Sequence, residues 1–205
     1  MSKKQVIFVP GFGLSAPLEI DDWSGWLAEE TRKCGFDFKL LSMPDIMYPE
    51  IDQWLSFLQE QNIEIDNNTY FVGHSLGCIT IARFLEKLPS KSVARGCIFV
   101  AGFCSLPKIP FLSDFCNLPL DFSEVKKHAR EFVSIISDDD HVISKDLSEE
   151  FSEKLGAWTI TEHNKGHFTS GVKKISSVLN VILEMDQMNE EEKEMNSLSR
   201  LAAKG

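Results

Sequence analysis

No stretch of this sequence is long and apolar enough to span a bilayer. The apolar run that opens the chain, residues 6–9, is too short even for the core of a signal peptide. Cysteine is scarce: Cys34, Cys78, Cys97, Cys104 and Cys116 make an odd count without paired spacing. That excludes a disulfide framework or a zinc site. Free thiols suit a reducing compartment, so the expected location is the cytoplasm, with Cys97 as plain core. Basic charge is also short, 21 Lys and Arg against 31 Asp and Glu, for a net charge of −10. An acidic surface repels phosphate backbones and excludes nucleic acid as a partner. Low-complexity tracts are missing as well. What remains is a 205-residue chain, 43% hydrophobic and 25% charged, the size of one ordinary domain with a sizeable core.

Six short apolar runs recur at residues 6–9, 36–41, 70–72, 97–100, 132–136 and 158–161. Apolar on both faces, they suit strands covered above and below. Amphipathic stretches with helical spacing lie between them, at Trp23/Trp26/Leu27, Ile51/Trp54/Leu55/Leu58, Ile79/Ile81/Ala82/Leu85 and Leu147/Phe151/Leu155. A fifth runs through Val172, Ile175, Val178, Leu179 and Ile182. The alternation predicts a three-layer α/β/α sandwich around a mostly parallel sheet of about six strands, filling residues 1–185. Two segments break the rhythm. Residues 101–122, with Phe103, Phe111 and Phe115, fit no single period and are expected to form a lid-like insertion over the site. Residues 186–205 are dense in charge and read either as a disordered tail or as a docked helix.

The strongest chemical signal is Gly73-His74-Ser75-Leu76-Gly77, between an apolar strand and a helical pattern. In a G-x-S-x-G elbow the serine sits on a strained strand-to-helix turn, and glycines flank it because side chains there would collide. A capping serine in a glycine-rich turn is the bland alternative. Serine needs a base, and the base needs an orienting acid. Both appear after later strands, as Asp138-Asp139-Asp140 and as His163 to His167. Ile143, three residues after Asp140, favours Asp140 as the acid, followed by Asp139 and then Asp138; another of the three could at the same time form a solvated turn capping the next helix. Gly166-His167-Phe168 favours His167 as the base over His163, while His163, His128 and His141 read as surface histidines. His74 is expected along the top of the sheet, without a base's role.

An oxyanion hole needs two backbone N–H groups. Leu76, directly after the nucleophile, supplies one candidate, and Phe12 in Val9-Pro10-Gly11-Phe12-Gly13 the other, its ring a candidate pocket wall. The same loop matches a dinucleotide fingerprint at residues 11–16, but Pro17 interrupts the helix that reading needs, and the second strand lacks the acid.

Together, the Pro10-Gly11 loop, Trp23-x-x-Trp26, Met43-Pro44-Asp45, Gly73-His74-Ser75, Asp139-Asp140 and Gly166-His167-Phe168 resemble the small, nearly capless α/β-hydrolases of the retinoblastoma-binding protein 9 group. The likeness covers most of residues 5–185. It implies an α/β-hydrolase fold with a minimal cap, a Ser75–Asp140–His167 triad and hydrolysis of an ester or amide. The chain departs at His141, where the group often has proline, and at the long 101–122 loop. The expectation is a serine hydrolase acting through an acyl-enzyme on a small hydrophobic acyl substrate held by Phe12, Phe103, Phe111 and Phe115. That chemistry requires neither a metal nor an organic cofactor. The rival class is a non-catalytic adaptor of the same fold.

Overall fold

The six apolar runs pair side by side into one sheet. In a computed structural model, which describes residues 2–13, 22–105, 112–169 and 171–202, the strands are β1 (Gln5–Val9), β2 (Asp37–Leu40), β3 (Thr69–His74), β4 (Ala94–Val100), β5 (Ala129–Ser137) and β6 (Trp158–Glu162). Their order is β2-β1-β3-β4-β5-β6. Every neighbouring pair is parallel. The order reverses between β1 and β3, the place where open α/β sheets leave a crevice at their carboxyl ends.

Side chains alternate along each strand, and the core divides accordingly. Ile7, Val9, Phe71, Cys97 and Phe99 face one layer, formed by α2 (Ile51–Glu60), α3 (Leu76–Glu86) and α6 (Lys145–Leu155). Val6, Phe8, Tyr70, Val72, Ile98 and Val100 face the other, formed by α1 (Trp23–Lys33) and α7 (Ser176–Ala202). The central strands are therefore continuous apolar runs. β6 departs from that expectation: it is an edge strand, and its Trp158 is 78% exposed. The last helix opens at Ser176 rather than at Val172, which stays in the preceding loop.

The 101–122 segment differs from its expected form. Its described parts hold a one-turn helix, α4 (Ser113–Cys116), and end where a second one-turn helix, α5 (Phe122–Val125), begins. Phe103, Leu112 and Phe115 are buried in the core layer of α2 and α3, with Phe115 edge-on to Trp54 at 5.5 Å. Arg83 of α3 donates from Nε to the Phe115 carbonyl at 2.7 Å and from its guanidinium to the Leu118 carbonyl. Phe103 and Phe115, expected as pocket walls, are therefore buried core residues. Phe111 lies outside the described residues.

The charged tail continues α7. Asp186 pairs with Lys4 at 2.8 Å and accepts from the Tyr70 hydroxyl at 3.1 Å, while buried Asn189 donates to the Asn67 carbonyl at 2.8 Å. These partners precede β1 or lie at the start of β3, so the stretch of α7 around residues 186–189 docks at the amino edge of the sheet.

Candidate active site

β3 runs through His74, and the backbone then turns sharply. Ser75 has φ 52° and ψ −115°, outside the helical and extended regions, and its N–H donates to the Val100 carbonyl at 2.8 Å. A non-glycine residue held there costs about 1–3 kcal/mol, so its surroundings must over-determine it. The glycines explain how they do. A Cβ on Gly77 would lie 2.1 Å from the Val9 carbonyl oxygen, and one on Gly73 would lie 2.9 Å from the Cα and N of Cys78. A Cβ on Gly11 would come within 3.0 Å of the Ser75 Cβ. The elbow is thus wedged between the start of α3 and the loop after β1.

Ser75 does not cap α3 with its side chain. Its hydroxyl lies 2.9 Å from Nε2 of His167, whose Nδ1 lies 2.8 Å from Oδ2 of Asp140. The carboxylate fixes a proton on Nδ1, leaving Nε2 to accept from the serine. The other Asp140 oxygen accepts from the N–H groups of Val142 and Ile143 at 2.8 and 2.9 Å, and the Ile143 side chain is buried beneath the loop. Only 2% of the Asp140 side chain and 11% of the His167 side chain remain exposed. The three residues come from loops after β5, β6 and β3, all at one edge of the sheet.

Leu76 is the first residue of α3, whose leading amides have no intrahelical acceptor and sit at the positive end of the helix dipole. Phe12 lies on the loop that Gly11 presses against Ser75, with Gly13 at φ 72° and its N–H on the Ile46 carbonyl at 3.1 Å. Among the described residues, α1 opens at Trp23, behind an Asp22 cap in extended conformation. Among the described residues no group of three or more His, Cys, Asp or Glu side chains could hold a metal ion.

The other two aspartates hold the loop that carries His167. Asp139 Oδ1 accepts from the Ser137 hydroxyl at 2.7 Å and the Gly166 N–H at 2.8 Å. The Ser137 hydroxyl bond, then the Gly166 amide, holds the Asp139 carboxyl below the usual range. Asp138 meets Nδ1 of His163 at 2.5 Å and the Asn164 N–H at 3.1 Å, and the His163 contact likewise lowers its pKa. His163 and His141 are exposed, as expected, but His128 is fully buried, 2.8 Å from the Ser92 carbonyl. Sequence reasoning missed these supporting roles, for which a run of three acids carries no distinguishing signal. It also gave His74 no contact. Its Nε2 lies 2.9 Å from the His167 carbonyl, and the Trp23 indole N–H donates to the next carbonyl, Phe168, at 2.9 Å. Beside this loop a cavity of about 540 Å³ is bordered by His167, Lys165, Thr169, Lys173 and Lys174.

The family described as Serine hydrolase matches residues 6–182. YdeN of Bacillus subtilis, named a hydrolase, is 31% identical over 166 residues, covering 80% of this chain and 86% of that protein. Serine hydrolase RBBP9 of Rattus norvegicus is 24% identical over 170 residues, 82% of this chain and 88% of its own. The crystal structure of the B. subtilis ydeN gene product matches with a TM-score of 0.85 at 29% identity, covering 90% of this chain and 99% of that one. A strained serine elbow, a parallel α/β sheet and a match running from β1 into α7 agree: the chain belongs to the serine hydrolase family.

Proposed function

We propose that the protein cleaves a carboxylic ester or amide of a small substrate through an acyl-enzyme on Ser75. The observation that carries this reading is the continuous line from Ser75 Oγ to His167 Nε2 and from His167 Nδ1 to Asp140 Oδ2, at 2.9 and 2.8 Å. His167 takes the serine proton as Oγ attacks the acyl carbonyl, and Asp140 stabilises the imidazolium that forms. The Leu76 and Phe12 amides receive the charge that develops on the carbonyl oxygen. The proton then passes to the leaving alcohol or amine, and water, activated by the same imidazole, releases the acid.

The substrate's apolar part has a different partner from Phe103 and Phe115, which are buried in the core. Phe12 is 36% exposed, and Gly13 bonds to the turn that presents Met47 and Tyr48, both well exposed. Their exposed apolar surface near the oxyanion loop supports a short hydrophobic acyl or leaving group as the substrate's apolar part.

Hydrolysis of p-nitrophenyl acetate and butyrate by the wild type and by Ser75→Ala tests the reading. Removing such a nucleophile lowers turnover on the order of 10⁶-fold, so the variant should fall to the background rate while unfolding at the wild-type temperature. A folded Ser75→Ala protein that keeps the wild-type ester rate would overturn it.

A further inference from the structure

We propose that His74 and Trp23 are positioning residues which clamp the loop bearing the base, each holding one of two consecutive carbonyls with a buried ring N–H. The inference rests on the reading of Ser75, His167 and Asp140 given above and extends it to groups that touch no reacting atom.

The loop needs holding. Asn164, Gly166 and Phe168 all have positive φ, at 56°, 52° and 54°. Only one of them is glycine, so the segment does not adopt this path by local preference. Three kinds of contact fix it. Asp138 and Asp139 hold its amides at Asn164 and Gly166. The Phe168 ring is buried in the layer of α1 and α7. The carbonyls of His167 and Phe168 take the N–H groups of His74 and Trp23, both at 2.9 Å.

His74 is placed to couple the site's parts. It is the covalent neighbour of Ser75, and its ring packs 5.1 Å from the His167 ring and 5.8 Å from Trp23. A Cβ on Gly11 would lie 3.2 Å from its Nδ1, so the loop after β1 closes over its other side. One imidazole therefore sets the spacing between nucleophile, base and oxyanion loop. Since a carbonyl only accepts, Nε2 carries the ring's proton. Nδ1 is left buried with no partner among the described residues. Burial first, and the neighbouring His167 ring second, push the His74 pKa down to about 3, against smaller opposing pulls from the His167 carbonyl bond and then from Asp140. The donor thus stays neutral and puts no charge beside the imidazolium that His167 must become. A lysine or arginine could make the same bond only by opposing that charge. Packing alone would be served by phenylalanine at both positions, without a buried N–H that demands an acceptor.

The test uses full-length His74→Phe, His74→Gln and Trp23→Phe beside the wild type and Ser75→Ala. The glutamine amide reaches about as far as Nε2, so His74→Gln keeps a donor. Ester kinetics across pH, thermal unfolding and the far-downfield NMR signal of the His167 Nδ1 proton are measured on each. Loss of either donor should lower kcat by about 10- to 100-fold with KM little changed, since small misplacements of a reacting group carry penalties of that size. It should also move the acid limb of the pH profile and broaden the Nδ1 signal, while His74→Gln recovers most of the wild-type behaviour. Folded His74→Phe and Trp23→Phe with wild-type kcat, pH profile and Nδ1 signal would overturn the clamp. So would a His74→Gln protein as impaired as His74→Phe. If His74→Phe does not fold, Trp23→Phe, which keeps an aromatic ring, decides alone. Failure of the underlying reading looks different: wild type and Ser75→Ala would then hydrolyse ester equally, while the Nδ1 signal still reports whether the clamp holds His167.

Discussion

Three adjacent carboxylates at 138–140 do three different jobs, and each is set by where one oxygen points. Asp140 reaches the His167 imidazole; Asp139 holds Gly166, and Asp138 holds Asn164 and His163. Asp140→Asn should therefore lower kcat on the order of 10⁴-fold, because an amide cannot hold the Nδ1–H tautomer against a charged ring. Asp139→Asn and Asp138→Asn keep an acceptor oxygen for the loop amides and should cost less than about 10-fold, a positional effect only. Steady-state ester kinetics on the three variants decide it; a damaging Asp139→Asn beside a mild Asp140→Asn would contradict the assignment. The lowered pKa of Asp139 adds a pH sense. Its hold on the loop is complete above the ordinary carboxylate range and is lost as pH falls through the folded-state value below it. Much of this scale was legible beforehand. Strand context singled out Ser75, the glycine before it His167, and the Ile143 spacing Asp140. The clamp was not legible, because ring N–H groups of His74 and Trp23 find carbonyls nearly a hundred or more residues away, with no pattern to mark the pairing.

At the scale of elements, the aromatic 101–122 segment was the hardest to read. α4 and α5 are single turns, too short to show any period, so a run of apolar residues between a strand and a helix looks like a lid. Phe103 and Phe115 instead complete the layer over α2 and α3. Phe115→Ala should accordingly destabilise the protein by about 3–5 kcal/mol, the usual result for a buried phenylalanine. Urea unfolding measures that loss, and the chain-length preference of the folded fraction should not change. A shifted preference without loss of stability would return the ring to the pocket. α7 shows the opposite problem. The composition around Glu190–Glu194 resembles a solvated tail. Yet Asp186, Asn189 and Lys193 are the docking contacts, the last reaching Asn68 at 2.8 Å, and such polar pairings leave no hydrophobic period to detect.

For the whole molecule, the strand order separates support from chemistry. α7 and its polar contacts tie down the amino edge of the sheet. The loops after β1, β3, β5 and β6 meet at the carboxyl edge, on either side of the reversal between β1 and β3. That architecture was readable from the alternation of runs alone, since right-handed crossovers between parallel strands leave few other arrangements. The exposure of β6 was not, because the position of a strand in the sheet cannot be read from its own residues. The claim on which everything else depends is that Ser75 is a nucleophile activated by His167. Reaction with a fluorophosphonate tests it most directly, because the serine oxygen must attack phosphorus and expel fluoride. Intact mass and peptide mapping should show one adduct per chain, on Ser75, absent from Ser75→Ala and formed far more slowly by His167→Ala. No adduct on folded wild-type protein, or an adduct that persists in Ser75→Ala, would contradict the account.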